Sequence, residues 1–168
     1  MNEKIEAALN EQLNNELAAE YAYLAMSADL TAKSLRGLAG WLRQQAQQER
    51  MHAMKLFDFI NDRNGRVRLK EIATPQFEWS SALAAFEDSY TREVQTTTEI
   101  HDLVELAAAE KDHASDAFLQ WFVAEQVQEE ATIQGIVDKL RFAGDDPAAL
   151  LMLEEQLGQP TATTGGGE

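Results

Sequence analysis

The chain contains no cysteine, only three prolines and little positive charge. Without Cys it has no disulfides, Cys-based zinc sites, iron–sulfur clusters or Cys nucleophiles. No stretch approaches the roughly 18 uninterrupted apolar residues of a membrane span. The start, MNEKIEAALNEQL, has neither a basic leader nor an apolar core of signal-peptide length. Fourteen Lys and Arg face 29 Asp and Glu, a formal net charge of -15. So acidic a chain is a poor partner for nucleic acid or an anionic membrane surface, and neither is expected. It could attract cations, although charge also serves simply to keep a surface soluble. A reducing, cytoplasmic compartment is the expected setting.

What is present is ordinary for a folded domain. Apolar residues are 45% and charged residues 26% of 168, a balance that excludes wholesale disorder and fits one domain. Pro75 separates two long periodic stretches, Pro147 follows Gly144, and Pro160 opens a tail, TATTGGGE, that reads as disordered. The breaks leave four long helical segments, about 3–33, 37–64, 81–111 and 113–143, and a short fifth at about 146–157. Asp145 or Asp146 would cap the fifth, with Pro147 in its first turn. No convincing alternating strand is found. The expected fold is all-α: one domain over 1–158 and a disordered C-terminal tail over 159–168.

The links fix the topology. Those between the first and second helices and between the third and fourth are short, which favours antiparallel neighbours. The second link, about residues 65–80, reaches roughly 50 Å when extended. A helix of about 28 residues is roughly 42 Å long. This crossover can therefore run the length of a four-helix bundle, so that the third helix starts at the same end as the second. Leu69, Ile72, Phe77 and Trp79 offer apolar surface for packing on the way.

Each long helix carries an apolar seam stepping by three and four residues. The first reads Leu9, Leu13, Glu16, Glu20, Tyr23, Ser27, Leu30, and the second Leu38, Leu42, Gln45, Glu49, His52, Leu56, Phe59. The third reads Leu83, Phe86, Tyr90, Glu93, Thr97, Ile100, Val104, and the fourth Leu119, Phe122, Gln126, Glu129, Ile133, Ile136, Leu140. All four are apolar at both ends and polar in the middle. One Glu on a core stripe usually means a misjudged helix phase or a side chain that reaches water, and Glu20 fits that reading. Four helices with the same interruption at the same depth do not. Glu16, Glu49, Glu93 and Glu129 should converge in one layer of the core.

Buried carboxylates repel one another, and each buried charge costs several kcal/mol. The seams hold no Lys or Arg to neutralise them, which leaves raised pKa values or a bound cation. Hard oxygen donors with one imidazole suit a pair of iron or manganese ions, and zinc would also bind. Glu49 and His52 are one turn apart on one face and can serve the same ion.

At this level of detail the sequence resembles the bacterial-type, non-haem ferritins over about residues 3–157. LNEQLNNEL, QQERMHAMKLFDFI, FLQWFVAEQVQEE and IVDKLRFAG carry the resemblance. It implies a ferritin-like four-helix bundle with one long crossover between helices two and three and a short fifth C-terminal helix. It implies a di-iron ferroxidase centre: Glu16, Glu49 and His52 on one iron, Glu49 bridging to a second iron held also by Glu93 and Glu129, and Gln126 beside it. Tyr23 matches a tyrosine kept near that centre, or is a core tyrosine with a satisfied hydroxyl. Gln126-x-x-Glu129 replaces a second Glu-x-x-His and makes the two sites unequal. Arg50 follows Glu49 where bacterioferritins have their haem-ligating Met, so no haem is expected. Gln48 and Gln128 stand where a third iron site would need carboxylates; Glu125 and Glu130 remain. His101 and His113 receive no metal role.

The implied activity is iron storage and detoxification, with Fe(II) oxidised to Fe(III) by O2 or H2O2, a ferroxidase of the EC 1.16.3 type. Ferric mineral would be held in a hollow homo-oligomeric shell of 24 copies. The fifth helix, with Leu150, Leu151, Met152, Leu153 and Leu157, must bury its apolar surface, either at shell channels or on its own bundle. The alternatives are a rubrerythrin-like di-iron peroxidase or oxygenase, a shell subunit with a silent centre, and a metal-free interaction module.

Overall fold

A computed structural model describes residues 1–158; the tail at 159–168 lies outside the described residues. The chain forms α1 (Glu3–Ala32), α2 (Arg36–Asp62), α3 (Ala82–Ala109), α4 (His113–Ala143) and α5 (Pro147–Gly158). There is no strand among the described residues. None of the helices there is long and apolar enough to cross a membrane.

The helix starts follow their sequences. Asn2 caps α1 by accepting from the Lys4 N–H, Ser81 caps α3 by accepting from Ala84, and Asp112 caps α4 by accepting from Ser115. Of the two candidates for α5, Asp146 is the cap, accepting from the Ala148 N–H at 2.9 Å. The ends of α1, α2 and α3 come one or two residues before the expected positions. Ser34 (φ 66°), Asn64 (φ 55°) and Lys111 (φ 56°) adopt the left-handed conformation just past each helix. The following N–H then reaches back five residues, as from Leu35 to Leu30, Gly65 to Ile60 and Asp112 to Ala107. None of these positions is the glycine that would have announced such a turn.

Two apolar clusters establish the topology. One gathers Leu30, Leu38, Trp41, Phe86, Ile136 and Leu140, joining the end of α1, the start of α2, the start of α3 and the end of α4. The other gathers Leu9, Leu56, Ile60, Ile100, Leu103 and Leu119 from the opposite ends. Hence α1 and α2 are antiparallel, as are α3 and α4, and α3 starts at the same end as α2. The fold is the expected four-helix bundle with one long crossover and a short fifth helix.

The crossover runs along α1, and apolar packing holds it only near its two ends, through Val67 and Trp79. Leu69 is 65% and Phe77 72% exposed, and Ile72 is exposed too; of the four expected anchors only Trp79 is buried. Two asparagines hold it as well. Asn10 donates to the Arg66 carbonyl at 3.0 Å and accepts from the Arg68 N–H at 2.6 Å. Asn14 donates to the Arg68 carbonyl at 2.9 Å and accepts from the Lys70 N–H at 2.7 Å. Four residues of helix rise about 6 Å, and two residues of extended chain span about the same. The side-chain amides therefore pair with the crossover in register, as a neighbouring strand would. At the far end Asp29 accepts from the Trp79 N–H at 3.2 Å, and Lys33 donates to the Trp79 carbonyl at 2.7 Å.

The α5 helix packs on its own bundle through Leu153, with Leu150 and Leu157 beside it, while Leu151 and Met152 stay exposed. It also supplies what α2 lacks. The side chain of Leu35 cannot cap α2, and the Glu154 carboxylate instead accepts from the Gly37 and Leu38 N–H groups. Gly37 is required at that contact: a Cβ there would sit 2.0 Å from the Glu154 carbonyl oxygen.

Candidate metal centre

Between the two apolar clusters lies a polar waist. Glu16, Glu49, Glu93 and Glu129 each stand within about three residues of their helix midpoints, and all four are buried, with Glu16 only 1% exposed. His52, Tyr23 and Gln126 are buried with them. Glu20 is half-buried and faces Arg50 at 3.5 Å, outside this layer. The α4 seam is placed as expected, as is that of α1 apart from Glu20; at the end of α2 Ile60 is buried in place of Phe59, which is half-buried. In α3 the buried stripe is Ala82, Ala85, Phe86, Ser89, Glu93, Ile100, Leu103 and Ala107, while Leu83, Tyr90, Thr97 and Val104 are only half-buried. Small residues face inward there, so weighting the larger apolar side chains misplaces the stripe by about one position.

The waist has two dissimilar halves. On the α1–α2 side, Glu16, Glu49 and His52 present donor atoms that all lie within 4.8 Å of one another. The His52 Nδ1 is 3.5 Å from a Glu49 oxygen and 3.9 Å from a Glu16 oxygen. Glu16 Oε2, Glu49 Oε1 and His52 Nε2 are buried without any hydrogen-bond partner. Such orphaned polar atoms are costly, and a bound cation relieves the cost for the carboxylate oxygens. On the α3–α4 side both Glu93 oxygens and one Glu129 oxygen are engaged. Tyr23 donates its hydroxyl to Glu93 Oε1 at 2.5 Å, Gln126 donates to Glu93 Oε2 at 3.1 Å, and Gln45 donates to Glu129. Tyr23 is thus a satisfied core tyrosine whose partner is itself a waist carboxylate.

The electrostatics agree with the geometry. Burial, and then repulsion by Glu49, pushes the Glu16 carboxyl well above the usual carboxylate range. Burial, and then Glu93, does the same for Glu49. Glu129 is raised to about 7 by burial and then by Glu93. The Tyr23 phenol is pushed up by burial and then by Glu93. Among the described residues no Lys or Arg pairs with any of the four waist carboxylates; the nearest acid–base pair, Arg50 with Glu20, is exposed on its Arg side. Burial and mutual repulsion thus favour the protonated forms of Glu16, Glu49 and Glu129, and a divalent ion can take the place of those protons.

Several contributors were not singled out by the sequence reading. Gln12 donates to Glu16 Oε1 at 2.8 Å, and its position four residues earlier on the same face was the available signal. Gln45 was on its seam but had no assigned partner. Trp121 meets the His52 ring edge-on at 5.6 Å. Glu125 forms a second cluster of three with His52 and Glu129, whereas Glu130 belongs to neither cluster and accepts from the Thr97 hydroxyl at 2.5 Å. His101 and His113 are exposed, away from the waist.

The architecture has known counterparts. The family model for the ferritin-like domain matches residues 6–143. A bacterial non-heme ferritin of Staphylococcus aureus is 40% identical over 154 residues, 92% of this chain and 93% of that protein. Another from Staphylococcus epidermidis is 41% identical over 157 residues, 94% and 95% of the two chains. Among solved structures, an open-pore ferritin from the archaeon Archaeoglobus fulgidus superposes with a TM-score of 0.94 at 49% identity, covering 95% of this chain and 99% of that one. With its bundle, its crossover and its buried acidic waist, this chain belongs to the ferritin-like domain family.

Proposed function

We propose that the protein stores iron, oxidising Fe(II) at the waist and holding the Fe(III) product in a shell built from 24 copies. The observation that carries this reading is the set of orphaned donor atoms of Glu16 and Glu49 beside His52, in a core layer with no neutralising cation. Fe(II) is the substrate. Glu16, Glu49 and His52 hold one ion; Glu49, Glu93 and Glu129 hold a second, with Gln126 fixing Glu93. Anionic oxygens favour the higher oxidation state of the metal. Each of two Fe(II) ions gives up one electron. O2 takes the pair with two protons to give H2O2, or H2O2 takes the pair with two protons to give two waters. Apolar clusters on both sides of the waist keep the acids fixed and exclude bulk water from it. The shell and the ion count rest on kinship with ferritins and on the acid layer together.

The test adds Fe(II) aerobically to the apoprotein, follows ferric absorbance and sizes the particle. Fast oxidation of about two ions per chain in a large hollow assembly supports the reading. Fast oxidation in a small oligomer points instead to a rubrerythrin-like peroxidase or oxygenase. No oxidation above the buffer rate rejects the ferroxidase assignment.

A further inference from the structure

Three waist carboxylates each have a glutamine partner: Gln12 for Glu16, Gln126 for Glu93 and Gln45 for Glu129. Gln45 differs in two respects. It stands on α2 one turn before Glu49, so it ties α2 to α4 immediately beside the bridging carboxylate. It also lines a groove of about 640 Å³ between these helices, together with Gln48, Met51, Glu125, Gln128 and Glu129. Its side chain is nevertheless buried, so it stands where the groove meets the waist.

We propose that Gln45 is a positioning residue for the second Fe(II) ion: its amide engages one oxygen of Glu129 and presents the other to the metal. The proposal rests on the waist being a two-ion site. The amide N–H holds one Glu129 oxygen and so fixes the rotation of the carboxylate, which leaves its other oxygen aimed at the ion. Gln12 acts alike on Glu16, taking Oε1 and leaving Oε2 without a partner. Glutamine suits this task because it is neutral. A lysine would hold the same oxygen but cancel the charge that attracts the ion. Removing the amide frees the carboxylate to rotate, and the second ion loses a fixed ligand.

The test uses the whole protein, without oxygen, with Zn2+ in calorimetry and Co2+ in visible absorption. In Gln45→Met, which keeps the length but not the N–H, the first Zn2+ should bind within about twofold of the parent. The second should weaken by about tenfold. The Co2+ absorption of the second ion should change in intensity as Glu129 turns to bind through two oxygens. Gln45→Lys covers a failure of the Met variant to fold, and it should weaken the second step by more than tenfold. A merely structural role would weaken both steps together and leave the Co2+ spectrum as in the parent; that pattern overturns the proposal. So does parental affinity for the second ion in whichever variant folds. A parent chain that takes up fewer than two ions rejects the two-ion reading itself, which the parent titration reveals before any variant is made.

Discussion

The two halves of the waist share depth, burial and acidity, yet they differ in how their oxygens are satisfied. The α1–α2 half leaves atoms of Glu16 and Glu49 without partners, whereas the α3–α4 half commits three of its four oxygens to Tyr23, Gln126 and Gln45. One half is ready for a cation without rearrangement. In the other, both Glu93 oxygens already have donors, with which an ion would compete. Burial alone does not distinguish them; hydrogen-bond donors reaching across from other helices do.

In the proposed two-ion centre Glu49 serves both halves, so its removal has the largest expected effect. Glu49→Ala should slow Fe(II) oxidation by more than about 100-fold, since even indirect partners of a ligand cost about 10–100-fold. Stopped-flow absorbance at equal iron loading checks this. A parental rate would remove the waist from the chemistry.

Protons sharpen the comparison next. Glu129 holds its proton to about pH 7, above its ordinary 4.5, so the folded state binds more protons than the unfolded one between these values. The sign follows: this contribution is complete below about pH 4.5 and is lost as pH rises through 7. Between pH 5 and 8 the metal-free chain should lose up to about 3 kcal/mol from this group. Bound Zn2+ should reverse the trend, because the ion replaces the protons. Urea midpoints at both pH values, with Zn2+ and with a chelator, measure it; a chelated protein that gains stability with pH contradicts the raised carboxyl.

Tyr23→Phe loosens only the α3–α4 half. It leaves a Glu93 oxygen unsatisfied, which should cost the apoprotein about 1–3 kcal/mol. The same oxygen becomes free for metal, so the second Zn2+ should bind several-fold more tightly while the first is unchanged. Calorimetric titration of both steps decides between this and a tyrosine that assists binding.

The smallest effect lies outside the waist and serves as its control. Lys111 adopts φ 56°, a conformation that is unfavourable for any residue with a Cβ. Lys111→Gly should raise stability by about 0.5–1 kcal/mol, allowing for the chain entropy of glycine. Neither Zn2+ step should move. A shift in either would show that the waist responds to strain at the bundle ends.

The sequence made the helices, their pairing and the waist legible because a four-helix seam with acids at one depth has few physical solutions. It was less informative where the deciding groups are small or neutral. The α3 stripe was misplaced because Ala85, Ser89 and Ala107 face inward and carry little weight in a reading of large apolar residues. Of the apolar residues in the crossover that the sequence offers as anchors only Trp79 is buried, and Asn10 and Asn14 hold the stretch before it, since a side-chain amide can replace a strand only when helix rise and extended chain match. Helix ends at Ser34, Asn64 and Lys111 lack the expected glycine. Gln12 and Gln45 looked like ordinary polar seam residues, and only their partners across the core give them a role.

The most direct measurement is anomalous diffraction at the iron edge from apoprotein crystals soaked in Fe(II) without oxygen. The account predicts two peaks at the waist, one against Glu16, Glu49 and His52 and one against Glu49, Glu93 and Glu129, the first filling at lower iron concentration. A waist without anomalous density at saturating Fe(II) would contradict it.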